Sequence, residues 1–256
     1  MTTTYAIGGD LVVSRIGFGA MRLTGQPGNF GPYADWDGGI ALLRRAAELG
    51  IRLFDTALAY GPGHNEALIA EALHPYADGI VVATKGGIDK LSPTQLVRDA
   101  SSATLARQVD EALVRLRVER IDLFQLHWVD PAVPIEESVA ALDAARRAGK
   151  VRHVGLANVT RDDLDRALAV APIASVQNRF NSEERESDAL VNYTAEKGIA
   201  FIPYGPLGAH PMQRGARLDP AAALRWLLAR SPNVVVIPGT TSVAHLEENV
   251  RSLAEA

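Results

Sequence analysis

Short apolar runs alternate with amphipathic stretches from one end of this chain to the other, and no other feature constrains its fold as strongly. Eight runs have strand character, at residues 16–20, 51–55, 80–84, 121–126, 151–156, 173–177, 200–203 and 234–237. Eight stretches of helical period follow them in turn, at 39–49, 66–73, 105–116, 136–148, 162–168, 188–197, 220–229 and 243–250. Punctuation agrees with this division. Asp219-Pro220 has the N-cap/N1 form, and Gly50, Gly149 and Gly198 stand where a helix needs a left-handed residue to stop. Runs that are apolar throughout suit strands covered on both faces, as in a parallel sheet. Eight strand–helix units over about 250 residues predict an α/β fold, a (β/α)8 TIM barrel. Ahead of the first unit, Tyr5-Ala6-Ile7 and Leu11-Val12-Val13 flank Gly8-Gly9-Asp10, the pattern of a β-hairpin plugging the barrel bottom. A doubly wound Rossmann sheet would instead need a third glycine after Gly17-Phe18-Gly19, where the chain continues with Met21-Arg22. No compositional break divides residues 1–256, so a single domain is expected.

In such a barrel, chemistry gathers at the C-terminal ends of the strands. Polar residues fall there one unit after another: Asp55, Lys85, His127, Asn158, Gln177-Asn178, Tyr204 and the segment Pro238-Gly239-Thr240-Thr241. Tyr60 follows Asp55 in the second loop, beside Gly61-Pro62-Gly63. Each has a bland reading alone: Asp55 as a turn cap, Tyr60 as a rim aromatic, His127 as a hydrogen-bonded core histidine. Lys85 is harder to dismiss, because a lysine at a buried strand end is costly unless paired. Their joint occurrence at matching strand ends predicts an active site in which a tyrosine near a lysine and a histidine is a proton donor, its pKa pulled toward neutrality.

Composition narrows the chemistry. The chain has no cysteine, which removes thiolate nucleophiles, disulfides and Cys-bound metals, and one inward His with one Asp is too few ligands to imply any metal. A net charge of −4 gives no electrostatic case for nucleic acid or anionic membrane as partner. No apolar stretch approaches the ~20 residues of a membrane span, and Met1–Ala6 lacks a signal peptide's basic and apolar regions. A cytoplasmic enzyme with a small-molecule substrate and no obligate protein partner is the expectation.

The set Gly17-Phe18-Gly19-Ala20-Met21, Phe54-Asp55-Thr56-Ala57 with Tyr60-Gly61, Ala83-Thr84-Lys85, Leu126-His127-Trp128, Gly155-Leu156-Ala157-Asn158, Gln177-Asn178, Tyr204-Gly205-Pro206-Leu207-Gly208 and Ile237-Pro238-Gly239-Thr240-Thr241 running into Glu248-Asn249 resembles the aldo-keto reductase family along nearly the whole chain. Phe30-Gly31-Pro32, Tyr60-Gly61-Pro62 and Leu73-His74-Pro75-Tyr76 look like a bacterial branch that includes pyridoxal reductases. The resemblance implies NADPH-dependent reduction of an aldehyde or ketone, with pyridoxal the leading substrate and a small aldehyde or keto sugar the alternative. It implies Tyr60 as general acid, Lys85 held by Asp55, and His127 donating to the substrate oxygen. The cofactor would lie across the barrel top on Gly19, Ala20, Met21, Asp55, Asn158, Gln177, Tyr204, Gly205, Pro206, Leu207 and Gly208. Its adenosine end would meet Pro238, Gly239, Thr240, Thr241, His245, Glu248 and Asn249. Met21, Phe30 and Trp128 would bound an open substrate mouth with Tyr60. Two departures stand out: Ala157 replaces a frequent serine, and Gly239 and His245 stand where NADPH-specific members often carry Lys or Arg. Arg214 and Arg217 follow strand seven as further cations. Two rivals remain. A regulatory subunit that binds cofactor without turnover need not keep all four of Asp55, Tyr60, Lys85 and His127. An isomerase or aldolase would use Lys85 as a Schiff base, which a neighbouring tyrosine and histidine suit less well.

Overall fold

A computed structural model describes residues 3–208 and 218–254. Seven parallel strands form one curled sheet: β3 (Phe18–Gly19), β4 (Leu53–Asp55), β5 (Val81–Gly86), β8 (Ile121–Leu126), β9 (Val151–Ala157), β10 (Ser175–Gln177) and β11 (Ala200–Phe201). The eighth position is filled by residues 233–238, which bridge both edges. Val234 pairs with Phe201 and Val236 with Ile16. Gly17 N donates to Val236 O at 2.8 Å, and Val235 N donates to Phe201 O at 2.9 Å, so the barrel closes. The expected eighth strand is therefore a pair of single bridges. The first strand, expected over 16–20, shrinks to two residues because Ala20–Arg22 turns into a 3-10 helix.

All eight helices are present: α1 (Trp36–Glu48), α2 (His64–Leu73), α3 (Ser102–Leu116), α4 (Ile135–Arg147), α5 (Arg161–Leu168), α6 (Asp188–Glu196), α7 (Pro220–Arg230) and α8 (Val243–Ala254). Asp219 caps α7 by accepting from Ala222 N with Pro220 next, and Gly50, Gly149 and Gly198 take positive φ. No helix among the described residues is long and apolar enough to cross a membrane.

The two-residue alternation of a strand sorts side chains into two cores. Phe54, Val82 and Phe124 face the helix layer, while Leu53, Val81, Ala83 and Leu123 fill the lumen. The hairpin β1 (Thr4–Ile7) and β2 (Leu11–Ser14) seals the lumen from below with buried Ile7, Leu11 and Val13. Its turn is fixed to β9. Asp10 accepts from Arg152 Nη2 at 2.8 Å, and Gly8, at φ +64, lies against the His153 ring where no Cβ would fit.

A second hairpin was not legible as strand: β6 (Ile88–Ser92) and β7 (Gln95–Arg98) rise from the top between β5 and α3. The signal for it was length. Residues 85–104 far exceed the 2–6 residues of an ordinary βα loop.

Candidate active site

The alternation that fills the lumen with Leu53, Ala83 and Leu123 puts Asp55, Lys85 and Gln125 at its upper end, two residues further along each strand. Lys85 pairs across the sheet with Gln125, Gln125 with Gly155, and Gly155 with Ser175. Gly155 leaves the room this layer needs, since a Cβ there would meet the Gln125 side chain at 2.9 Å. Lys85 Nζ donates to Asp55 Oδ2 at 2.7 Å and to Thr56 O at 2.8 Å, with only 1% of the lysine exposed. Gln177 Nε2 donates to Asp55 Oδ1 at 2.8 Å and to Gln125 Oε1 at 3.2 Å. Asp55 is thus gripped on both oxygens. Gln125 and Ser175, linked at 3.0 Å, complete a layer that the sequence reading did not single out.

Tyr60 lies above this layer. Its ring centroid is 5.2 Å from Lys85 Nζ and 5.9 Å from the His127 ring, which meets it edge to face. The turn carrying it is held by Tyr60 N to Ala57 O (3.0 Å) and Gly61 N to Asn29 O (3.1 Å). Gly61, at φ +64, sits so close to Gly31 O that a side chain there would collide with backbone.

Burial pushes the Tyr60 phenol well above its ordinary value of 10.0, with the charge of Asp55 and then Tyr204 adding to the rise. Burial, and then Lys85, push the His127 imidazole well below 6.5. Lys85 itself is lowered by burial, against the opposing pull of Asp55. The expectation of a tyrosine drawn toward neutrality is therefore corrected. The lysine charge is largely spent on Asp55 at 2.7 Å, so it does not act on the phenol as a lone cation.

These groups open into a cleft of about 1290 Å³, larger than the ~300–1,000 Å³ of ordinary small-molecule sites. Of the expected residues, Gly19, Met21, Asp55, Tyr60, His127, Trp128, Asn158, Gln177, Tyr204, Gly205, Pro206 and Leu207 line it, as do Gly239, Thr240, Thr241, His245, Glu248 and Asn249. Tyr204 Oη donates to Asn158 Oδ1 at 2.8 Å, and Asn158 Nδ2 donates to His127 O at 3.0 Å. This ties strands four, five and seven together at the rim.

Five expected residues do not line the cleft. Lys85 is sealed beneath it. Ala20 is fully buried, Pro238 spends its carbonyl on Gly19 N at 3.3 Å, and Gly208 N donates to Gly205 O at 3.1 Å within its own turn. Phe30 stands on the exposed side of a loop closed by Gly25 N to Gly31 O, whereas Gln26, Pro27 and Asn29 of that loop face the cleft. One side of the substrate end is bounded by described residues. Hairpin β6–β7 walls it with Ile88, Lys90 and Leu96, and Pro93 at its turn packs on Gly28. Arg214 and Arg217 lie outside the described residues.

Gly239 explains its own departure. A Cβ there would meet Gly19 O at 2.7 Å, so the backbone leaves no space for a lysine, and the Arg22 side chain of the adjacent first unit lies beside the same spot. Arg22 is a cation the sequence reading passed over because it belongs to the first loop. Among the described residues, no group of three or more His, Asp or Glu is placed to hold a metal.

The sequence profile of the aldo/keto reductase family matches residues 15–222. An uncharacterised oxidoreductase of Schizosaccharomyces pombe is 42% identical over 255 residues, covering 95% of this chain and 83% of that protein. Pyridoxine 4-dehydrogenase of Escherichia coli K12 is 39% identical over 265 residues, covering 97% and 92% respectively. Among solved structures, a glycerol dehydrogenase from Gluconobacter oxydans superimposes with a TM-score of 0.84 at 25% identity, covering 99% of this chain and 94% of that one.

Proposed function

Because this chain belongs to the aldo/keto reductase family, we propose that its cleft reduces an aldehyde or ketone to an alcohol with NADPH, Tyr60 giving the proton. The observation that carries this reading is the convergence of Asp55, Lys85, Tyr60 and His127 at one end of the cleft, with donors for a long anionic ligand along the rest.

The residues present fit the cofactor. Gly205 takes φ +65, so backbone is free to approach a pyrophosphate. Thr240 and Thr241 precede α8, whose N-terminus favours anions, and Arg22 adds a positive side chain over Gly239. The Tyr204 ring, fixed through its hydroxyl to Asn158, offers an aromatic face to the nicotinamide. Gln177 has both amide hydrogens committed to Asp55 and Gln125, so its contact to the carboxamide is through Oε1. When bound, NADPH supplies a hydride to the carbonyl carbon.

The protein's task is the proton. A phenol raised by burial is fully protonated at neutral pH and stands ready as a donor. As negative charge grows on the carbonyl oxygen, Tyr60 Oη passes it the proton, and the phenolate left behind lies near the Lys85 ammonium. His127, neutral because of burial and Lys85, has one ring N–H to aim at the same oxygen. Asp55 keeps Lys85 charged within an otherwise apolar lumen. Solvent then returns the proton to Tyr60 through the cleft.

Pyridoxal leads as substrate, on the strength of the pyridoxine 4-dehydrogenase relative; small aldehydes and keto sugars follow. The test is NADPH oxidation against a panel of pyridoxal, small aldehydes and keto sugars. Turnover is expected, fastest with pyridoxal. Tyr60→Phe should lower kcat by about 10²-fold or more, the scale of losing a general acid, with the Kd for NADPH changed less than about threefold. Absence of oxidation with every carbonyl would overturn the reading, and near-normal turnover in Tyr60→Phe would remove that residue from it.

A further inference from the structure

Hairpin β6–β7 places four side chains on the face turned to the cleft. Residues directly opposite in an antiparallel pair share a face, and Ile88 pairs with Arg98, Lys90 with Leu96. Ile88, Lys90 and Leu96 line the cleft, and the Arg98 guanidinium lies 4.6 Å above the ring of Trp128, itself a lining residue. The other face carries Asp89, which accepts from Gln108 Nε2 at 3.1 Å and Arg107 Nη2 at 3.3 Å on α3. The carboxylate of the hairpin therefore points away and both cations point in.

Neither cation has a carboxylate within 4.0 Å among the described residues. Lys90 is half-buried and donates to the carbonyl of Gly28, a partial substitute for lost hydration. The two carboxylates lining the cleft are elsewhere: Asp55 is held by Lys85 and Gln177, and Glu248 lies on α8. Burial lowers the Lys90 ammonium from its ordinary value, the mark of a charge short of a counterion. The flanking Ile88, Leu96 and Trp128 would cover the body of a ligand whose charge met the lysine.

We propose that this face is an anion subsite for the substrate: Lys90, with Arg98 at the rim, binds a carboxylate or phosphate carried on the same molecule as the reacting carbonyl. The proposal rests on the carbonyl-reductase reading above and extends it beyond the neutral carbonyls named there: pyridoxal would leave this subsite unfilled, and an anionic aldehyde or ketone would be the better substrate. Charge so placed would orient the substrate, since its anionic end would sit on the hairpin while its carbonyl reached Tyr60.

Matched pairs test it: 4-carboxybenzaldehyde against benzaldehyde for a carboxylate, glyceraldehyde 3-phosphate against glyceraldehyde for a phosphate. The readout is the ratio of kcat/KM, anionic over uncharged, in wild type, Lys90→Met, Lys90→Arg and Arg98→Gln. In wild type at least one pair should favour the anion tenfold or more, and that pair identifies the anion. Lys90→Met should cut the ratio at least tenfold, Arg98→Gln about threefold, and Lys90→Arg should largely restore it. A ratio near one in wild type, or one that survives Lys90→Met, overturns the proposal; a Lys90 acting only as a strut to Gly28 would lower both members of a pair equally. If no aldehyde is reduced, the functional reading has failed on its own. The subsite is then read by calorimetric titration with 4-carboxybenzyl alcohol against benzyl alcohol, where equal affinity, or tighter binding of the anion unchanged by Lys90→Met, counts against it.

Discussion

Tyr60 and His127 show how burial sets protonation at single residues. The phenol is raised and the imidazole lowered, so neither changes charge between pH 6 and 8. We expect kcat/KM for carbonyl reduction to be flat across that range. A tyrosine ionising near neutrality would instead make the rate fall as pH rises, and a pH–rate profile separates the two. The same shift has a consequence for stability. Folding holds His127 neutral, while the unfolded chain binds a proton below its ordinary 6.5. His127 therefore adds to stability above that pH, and the contribution is lost as pH falls from 6.5 toward the folded value. Urea midpoints measured from pH 7.5 down to 5.5 should decline, and the decline should be shallower in His127→Asn.

At the scale of elements, α2 binds the second and third strands to the helix layer through two adjacent buried residues. Asn65 Oδ1 accepts from Thr56 Oγ1 at 2.7 Å, while its Nδ2 donates to Ala20 O and Leu23 O at 2.9 and 2.8 Å. Glu66, with no exposed surface, accepts from Thr84 Oγ1 and from Arg115 Nε on α3, both at 2.5 Å. Arg115 also packs beneath Gly63, at the end of the turn that bears Tyr60. Removing the guanidinium would leave a buried carboxylate unpaired. Arg115→Met should therefore cost about 3 kcal/mol, the lower end for a broken buried pair because the arginine is partly exposed. Arg115→Met with Glu66→Gln should lose less than Arg115→Met alone, which urea unfolding of both variants will show. Equal losses would mean the arginine acts through packing and not through charge.

Across the whole molecule, the weak point is the seam where the eighth unit meets the first. Residues 233–238 make only bridges, and a buried arginine holds them. Arg15 donates through Nε to Val234 O at 2.9 Å and through Nη2 to Leu228 O and Ser231 O at 2.8 and 2.6 Å. It thus joins the start of the barrel to the end of α7 and to the closing segment, with 2% of its surface exposed. Arg15→Met should destabilise the fold by at least about 3 kcal/mol, since an unsatisfied buried acceptor costs roughly 1–3 kcal/mol. Faster hydrogen exchange at the amides of Val234, Val235 and Val236 than in the other strands should accompany it. A urea midpoint within error of wild type would show that closure does not depend on this residue.

The sequence by itself determined the barrel, its eight helices, the lower hairpin and the line of polar residues at the strand ends. It could do so because these rest on local regularities: period two in strands, period 3.6 in helices, and the conformational demands of residues such as Gly50 and Asp219. Tertiary structure alone decided what depends on distance between remote segments. Gln177 turned onto Asp55, and Gly239 pressed against Gly19, are contacts between different units, and no spacing in the chain encodes their separation. The hairpin β6–β7 belongs with them. Its outer strand is exposed throughout and lacks an apolar face, so periodicity gives no sign of it. Only the folded chain shows that it stands over the cleft with Lys90 and Arg98 turned toward the substrate side.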